Sequence, residues 1–253
     1  MLRNFTHADD VDDASLRYYN NLGEWHDHLE LTHLMDEIYV PVYYCTSFVV
    51  RTKRLVQKSK LYQSIIKSIE SDLKRHNQIE VVEFLERTWA SILSYPLSKR
   101  KVKTIADYAT GMDKPCCRTG SLLHKISDSD VNFFKGDTLI RQDEDYSKLR
   151  LTILIAHFNE DMSWMRQCIT ELKVPIRDVT IYSKCNNVIN GYTPPSSKIV
   201  SMRNVGRCDH TYASWMANMD ENSFNEDDLI LFIKSSRIAY EKGLSYRNIH
   251  DVM

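Results

Sequence analysis

The chain has 253 residues, of which 43% are hydrophobic and 26% charged, a composition typical of globular proteins rather than of disordered or fibrous chains. Its 33 basic and 34 acidic residues nearly cancel, so no overall field favours nucleic acid or an anionic membrane as a partner. No stretch approaches the roughly 18 consecutive apolar residues of a membrane-spanning helix, and the cysteines lack the paired spacing of structural zinc sites. We therefore expect a globular, cytoplasmic protein with reduced thiols.

The first hundred residues predict a strand region between helical segments. Residues 14–34 carry enough Leu, Tyr and Trp to be helical or partly ordered. Residues 39–50 are rich in β-branched and aromatic side chains, which is typical of buried strands. Apolar residues then recur at helical spacing over residues 61–69 and 81–92, and this periodicity predicts two amphipathic helices.

A stretch with little apolar periodicity separates this region from the rest of the chain. Residues 101–147 contain Gly, Pro, Ser and Asp residues that are typical of turns. So long a connection without regular structure is uncommon inside one compact domain. We therefore expect a linker here.

The second half of the chain alternates strand and helix patterns. The predicted strands are 151–156, 179–182, 198–201 and 229–233, and the predicted helices are 163–172 and 211–219. Ser163 stands at the start of the first of these helices as a candidate N-cap. Alternation of this kind requires crossover connections, so we expect an α/β fold with a mostly parallel sheet flanked by helices.

The loop after the first of these strands carries several candidate ligand-binding residues. Ligands of open parallel sheets bind beyond the carboxyl ends of the strands. This loop supplies His157, Asn159, Glu160 and Asp161, whose side chains can hydrogen-bond a nucleotide base or ribose. Helix capping by Asn159 or Asp161 is the structural alternative. We interpret the loop as a binding loop because these polar residues directly follow a very apolar strand.

A second loop, residues 204–210, leads into a helix and offers groups suited to a phosphate. Gly206 allows close approach of the backbone, Arg207 can bind a phosphate oxygen, and His210 lies near the start of the helix. A turn glycine and a structural histidine are the alternative interpretation. Lys234 follows the last predicted strand and joins the set of candidate binding residues.

Histidines near the start of the chain form the cluster most reminiscent of a metal site. Imidazoles of His26, His28 and His33 could bind a transition metal. Residues two positions apart do not share a helical face. We therefore predict no metal site here.

Several motifs resemble the glycosyltransferase-like domain-of-unknown-function family 3431. The amino-terminal half of that family is similar to LTILIAHFNEDMSW at residues 151–164, NVGRCDHTY at 204–212 and the strand LILFI at 229–233. Its carboxyl-terminal half is similar to YYCTSFVVRTKRL at 43–55 and FLERTWASIL at 84–93. The two halves therefore stand in reversed order, as in a circular permutant or a slice of a tandem array.

The resemblance implies a division of the chain into three regions. Residues 1–100 correspond to the family's carboxyl-terminal half, residues 101–147 to the linker, and residues 148–253 to its amino-terminal half. Both halves carry apolar faces that would complement each other. We therefore expect residues 1–100 and 148–253 to pack as one domain.

More distantly, the chain resembles GT-A glycosyltransferases, which implies a nucleotide-diphospho-sugar-transferase-like fold and a nucleotide-sugar donor. In that family the fourth strand usually ends in an Asp-x-Asp whose bound metal neutralises the diphosphate. Here the equivalent stretch, residues 233–237, reads IKSSR. The missing carboxylates argue against a bound metal, and Lys234 and Arg237 could stabilise a diphosphate directly.

Two classes of function follow from these observations. The leading one is a glycosyltransferase-like protein that transfers a sugar to an unknown acceptor, with Arg207 on the phosphate and Glu86 or Asp161 as general base. Glu86 is nominated by its position in the family's helix, and its structural alternative is a solvated residue paired with Arg87 or Lys67. The rival is a non-catalytic binding or scaffold module, or a fragment of a larger multi-unit protein. The sequence leaves the oligomeric state open.

Overall fold

A computed structural model describes residues 22–31, 47–56, 58–76, 80–93, 146–172 and 174–235. The helices of these ranges are α1 (Leu22–His28), α2 (Ser59–His76), α3 (Glu80–Leu93), α4 (Met165–Glu171) and α5 (Arg207–Asn218). The strands are β1 (Phe48–Arg51), β2 (Leu151–His157), β3 (Ile176–Lys184), β4 (Lys198–Met202) and β5 (Leu229–Lys234). Short 3-10 turns span Thr52–Arg54, Tyr146–Lys148 and Glu221–Ser223.

The strands form one sheet in the order β1-β5-β2-β3-β4. β5, β2, β3 and β4 run parallel to one another. β1 instead pairs antiparallel with β5, with Phe48 opposite Phe232. The α/β class is therefore confirmed, and the sheet is mixed rather than fully parallel. An antiparallel edge strand on an otherwise parallel sheet is common in α/β folds.

Both faces of the sheet are covered, which explains the uninterrupted apolar run of β2. Leu154 and Ala156 contribute to one hydrophobic cluster, with residues of α1, α2, α3 and α5. Ile153 and Ile155 contribute to another cluster, with Met165 of α4. We call the two sides the α5 face and the α4 face. A strand that is buried on both sides needs apolar residues at successive positions, so its sequence does not alternate.

The α5 face joins elements from distant parts of the sequence. Phe48 of β1 packs against Phe232 of β5 with ring centroids 4.9 Å apart, and Tyr212 of α5 lies 5.0 Å from Phe232. Trp89 of α3 lies 6.0 Å from Phe48. Burial of a side chain such as Phe stabilises a fold by roughly 1.5–3 kcal/mol. The described parts of the first hundred residues and of the second half thus share one hydrophobic core.

Helix α1 is held to this core by its aromatic and imidazole side chains. The Trp25 indole donates to Thr88 Oγ1 at 3.2 Å, and His26 Nε2 lies 3.2 Å from the same oxygen. His28 Nε2 lies 2.8 Å from Ser68 Oγ of α2. The two histidines thus contact different helices, and His33 lies outside the described residues. Within the described ranges, no group of three His, Cys, Asp or Glu side chains is arranged to hold a metal ion.

Two helix starts differ from the sequence prediction. α5 begins at Arg207, earlier than predicted, because Gly206 adopts a left-handed conformation (φ 59°) that ends the preceding loop. α4 begins at Met165, and Ser163 is not its N-cap. The Ser163 hydroxyl instead donates to Asp161 Oδ1 at 2.7 Å, which turns it away from the amides of the helix.

The strand predictions for β2, β4 and β5 agree with the structure to within one residue at each end. β3 is longer than predicted, since polar residues at its ends continue the ladder with β2. Residues 14–21, 32–46 and 101–145, which include most of the expected linker, lie outside the described residues. Among the helices of the described ranges, none combines the length and the apolar character that crossing a bilayer requires.

Candidate functional site

The connectivity of the sheet creates a switch point between β2 and β5. From β2 the chain passes through α4 to β3 and then to β4, and it returns through α5 to β5 on the opposite side of β2. α4 packs on one face of the sheet and α5 on the other. In open α/β sheets, ligands bind outside the carboxyl ends of the strands at such a point. The carboxyl ends of β2 and β5 therefore define the candidate site.

Glu160 holds the loop after β2 against the end of β5. Its Oε2 accepts hydrogen bonds from the amides of Phe158 at 2.9 Å and Asn159 at 3.1 Å, and from Ser235 Oγ at 2.6 Å. Burial opposes ionisation of Glu160, but these hydrogen bonds outweigh it and hold its pKa below the ordinary value. The charged Glu160 carboxylate therefore links the loop after β2 to Ser235, which follows β5. We call this set of hydrogen bonds the Glu160 clasp.

The other residues of this loop differ in whether their side chains are buried, hydrogen-bonded or exposed to a ligand. His157 is fully buried, and its Nε2 donates to Glu160 O at 3.2 Å. Asp161 Oδ1 accepts from the Ser163 amide at 2.9 Å, as in an Asx-turn, and it does not cap α4, whose N-cap is Trp164. Asn159 is exposed. Of the four residues predicted in this loop, Asn159 is thus the one that faces solvent without a described side-chain bond.

Close packing against α2 and His210 requires glycine at position 206. A Cβ on this residue would lie 2.6 Å from Ile69 Cγ2 of α2 and 2.6 Å from His210 Cβ. Its φ of 59° is also strained for residues with a side chain. The close approach that the sequence predicted for Gly206 therefore occurs against α2. Arg207, which follows, is exposed and also has a positive φ of 49°.

Lys184, at the end of β3, is a functional candidate that the sequence analysis missed. Its Nζ donates to Val205 O at 2.6 Å and to Arg207 O, and the side chain is buried. Burial lowers the pKa of Lys184 to about 8, against the opposing effect of Cys208 and Asp209. A lysine that ends a buried strand pattern, next to a polar loop, was the signal available in the sequence.

Asp209 links α5 to α3 and brings Glu86 to the same region. Its Oδ1 accepts from the Trp89 indole at 2.7 Å, and the carboxyl is fully buried. Burial raises the pKa of Asp209 to about 6, and the negative charge of Glu86 adds to this effect. Glu86 and Trp89 are three residues apart and therefore share a face of α3. Glu86 is half-buried, and its charge acts on Asp209 in the first turn of α5.

His210 is buried beside the start of α5 and is neutral at pH 7. Burial, followed by the positive charges of Lys184 and Arg203, lowers its pKa to about 4. Its Nε2 lies 3.9 Å from Glu70 Oε1 of α2, which is beyond hydrogen-bond distance. Within the described part of the chain, neither ring nitrogen has a hydrogen-bond partner.

The predicted site residues lie on both faces of the sheet. Ile230 and Phe232 contribute to the α5 face, and side chains alternate along a strand, so Lys234 lies on that face as well. By the same alternation from Ile153 and Ile155, His157 lies on the α4 face. The α5 side therefore carries Glu86, Gly206, Arg207, His210 and Lys234, whereas Asp161 precedes α4.

Comparison with known proteins finds no family model, no curated protein and no solved structure that matches this chain. The resemblance to family 3431 and to GT-A glycosyltransferases therefore stays a prediction. What can be inferred about function rests on the residues of the site itself.

Proposed function

We propose that this chain binds a nucleotide or a nucleotide sugar at the carboxyl edge of its sheet, as a GT-A-like protein. The observation that carries the proposal is the Glu160 clasp at the switch point, which joins the ends of β2 and β5. A fixed loop at this place in a sheet is pre-organised, so a ligand loses less free energy to ordering it. The exposed Asn159 amide next to the clasp supplies both a donor and an acceptor for a base or a ribose.

Cations at the same edge favour a ligand that carries phosphate. Lys234 ends β5, and the exposed Arg207 begins α5. A guanidinium pairs well with phosphate oxygens, and the first amides of a helix attract anions. A nucleoside diphosphate combines a base with two such anionic groups, which matches this distribution of polar and positive groups.

If the protein is an enzyme, its geometry favours Glu86 over Asp161 as the base. Asp161 precedes α4 on the other side of the sheet, whereas the charge of Glu86 acts on Asp209, two residues after Arg207. In a transfer reaction an acceptor oxygen would bond to the anomeric carbon and lose its proton to Glu86. The bond from that carbon to the diphosphate would break, and the electron pair would leave with the diphosphate near Arg207 and Lys234.

A non-catalytic binding module is the second candidate. It is favoured by the use of the Glu160 and Asp161 carboxylates as internal hydrogen-bond acceptors, which removes two acidic groups from chemistry. It is also favoured by the sequence at the end of β5, since Lys-Ser-Ser at residues 234–236 stands where the GT-A pattern would place Asp-x-Asp. Incubation with a nucleotide sugar distinguishes the candidates, because an enzyme without another acceptor slowly transfers the sugar to water and releases nucleoside diphosphate, whereas a binding module leaves the sugar nucleotide intact.

Thermal unfolding against a panel of nucleoside diphosphates and nucleotide sugars, with and without manganese, tests the binding itself. A ligand at one hundred times its Kd adds about 2.7 kcal/mol to the free energy of unfolding. We expect a rise in Tm that selects among bases and is independent of manganese. Asn159→Ala should reduce it, and Asn218→Ala, an exposed change at the other end of α5, should not. No rise with any nucleotide would contradict the proposal.

A further inference from the structure

Lys184 reaches from the end of β3 to the turn that precedes α5. Tyr182, two residues earlier on the strand, packs against the cluster of the α5 face, so Lys184 lies on that face as well. The side chain is buried, and its Nζ donates to Val205 O at 2.6 Å and to Arg207 O. Burial of an ammonium group costs free energy unless hydrogen bonds compensate for it. The two main-chain carbonyls supply that compensation, so the lysine and the turn hold each other in place.

The turn that Lys184 contacts has an unusual backbone conformation. Gly206 and Arg207 are both left-handed, with φ of 59° and 49°. Glycine adopts this conformation easily, but it is strained for a residue with a side chain such as Arg207. Strained residues persist where the surrounding structure fixes them, and they are concentrated at functional sites. The carbonyls that Lys184 binds belong to the residues on either side of Gly206, so its ammonium group is placed to fix this turn.

We propose that Lys184 is a positioning residue, which holds Gly206 and Arg207 in the left-handed conformation and so keeps the exposed Arg207 side chain at the carboxyl edge of the sheet. Without these two hydrogen bonds, Arg207 relaxes to an ordinary right-handed conformation, and its guanidinium takes another direction. The inference rests on the proposed function for the ligand of Arg207, and it deepens that function by naming the residue that presents this cation. The conformation of the turn can be tested without any ligand.

A lysine that only neutralises buried acidic groups is the structural alternative. Burial lowers the pKa of Lys184 to about 8, and the acidic groups of Cys208, Asp209 and Cys185 oppose this effect. The Asp209 carboxylate, however, accepts its hydrogen bond from the Trp89 indole. Lys184 instead donates both of its hydrogen bonds to the main chain. This choice of partners favours positioning of the backbone over neutralisation of charge.

NMR of the full chain without ligand tests the conformation of the turn. In the wild type, we expect the three-bond coupling and Cα shift of Arg207 to be those of a left-handed residue. In Lys184→Met, which keeps the length of the side chain but lacks the donor, they should become those of a right-handed residue. Lys58→Met is the matched control, because Lys58 is a half-buried lysine whose Nζ donates to another main-chain carbonyl, Ile92 O of α3, at 2.5 Å. It should leave Arg207 unchanged.

Two results of these spectra would overturn the proposal. One is an Arg207 that is right-handed or extended in the wild type, a measurement that needs no variant. The other is an Arg207 that stays left-handed in folded Lys184→Met. Amide dispersion in the same spectra shows whether each variant is folded. Lys184→Gln, whose amide is too short to reach both carbonyls, is a second variant for the same comparison.

Titration calorimetry with the nucleoside diphosphate that raises Tm most tests the consequence for binding. We expect Lys184→Met to weaken its binding about 10-fold, as loss of a charged hydrogen bond from Arg207 does, and Lys58→Met to leave it unchanged. Because Lys184 acts through Arg207, adding Lys184→Met to Arg207→Gln should cause little further loss. Fully additive losses, or equal affinity of Lys184→Met and Lys58→Met, would contradict the positioning role.

The two kinds of measurement separate this inference from the proposed function. If the wild type binds no nucleoside diphosphate, the proposed function is wrong, and the NMR comparison still decides whether Lys184 holds the turn. Nucleotide binding that responds to neither lysine variant would reject the positioning role and leave the proposed function in place.

Discussion

Asp209 is a buried residue whose protonation affects the stability of the fold. It is fully buried, accepts from the Trp89 indole, and joins α3 to α5 close to the candidate site. Because burial raises its pKa from 3.8 to about 6, the folded protein holds this proton more tightly than the unfolded chain does. The resulting stabilisation is complete below about pH 4 and is lost as the pH rises through about 6.

Asp209→Asn should remove this pH dependence. Asparagine keeps an oxygen acceptor for Trp89 but does not ionise, so the wild type should lose on the order of 3 kcal/mol relative to the variant between pH 4 and pH 7. Urea unfolding at a series of pH values measures the difference. Asp220→Asn, an exposed change, is the control. A wild-type to Asp209→Asn difference that stays constant from pH 4 to pH 7 would refute this account.

Gly206 illustrates a residue whose role the sequence predicted only in part. Its close approach is to Ile69 and His210, at 2.6 Å from the position of an added Cβ. Gly206→Ala should therefore reduce the free energy of unfolding by about 2–4 kcal/mol, from the left-handed conformation and from overpacking. Gly206→Asn separates the two causes, because asparagine tolerates the left-handed conformation. If chemical denaturation finds Gly206→Asn as stable as the wild type, the packing explanation is wrong.

At the scale of elements, the aromatic contacts around β1 connect the two parts of the chain. Phe48 contacts Trp89, Tyr212 and Phe232, with centroid separations between 4.9 and 6.0 Å. Phe48→Ala should cost about 3–5 kcal/mol in the free energy of unfolding. Val49→Ala, a smaller change on the opposite side of the same strand, should cost clearly less. Equal losses for both variants, measured by guanidinium unfolding, would contradict the importance of this cluster.

Sequence patterns predicted the strands of the second half but not two buried residues beside the candidate site, Lys184 and Asp209. The buried strands were visible because uninterrupted apolar runs such as residues 151–156 have few alternatives. The start of α5 was missed because the left-handed turn at Gly206 depends on its packing against α2. The position of Lys184 after a strand pattern was a signal, but its partner Val205, like Trp89 beside Asp209, is brought to it by tertiary contacts that no local pattern specifies.

At the scale of the whole molecule, the fold depends on both halves of the chain. β1 completes the sheet beside β5, and α2 packs against α5. Without residues 1–100, the apolar side chains of the α5 face, including Leu154, Ile230 and Met216, would be exposed. Large exposed apolar surfaces lead to association or unfolding.

A fragment of residues 148–253 should therefore fail to fold on its own. We expect poorly dispersed NMR spectra and aggregation for the isolated fragment, and a dispersed spectrum when residues 1–100 are added in trans. This result would support the prediction that the two regions pack as one domain. A monomeric fragment with a cooperative unfolding transition and a dispersed spectrum would show two independent units instead.

The proposed nucleotide lies at the carboxyl edge of the sheet, at the switch point between β2 and β5 and beside the start of α5. An NMR titration of the full chain with the nucleoside diphosphate that raises Tm most tests this placement directly, because each backbone amide reports its own surroundings. If the proposal holds, we expect shifts at residues 157–161, 206–210 and 234–235, and none at the amino ends of the strands near residues 151, 176 and 198. Shifts confined to the amino edge, or an unchanged spectrum at saturating nucleotide, would contradict it.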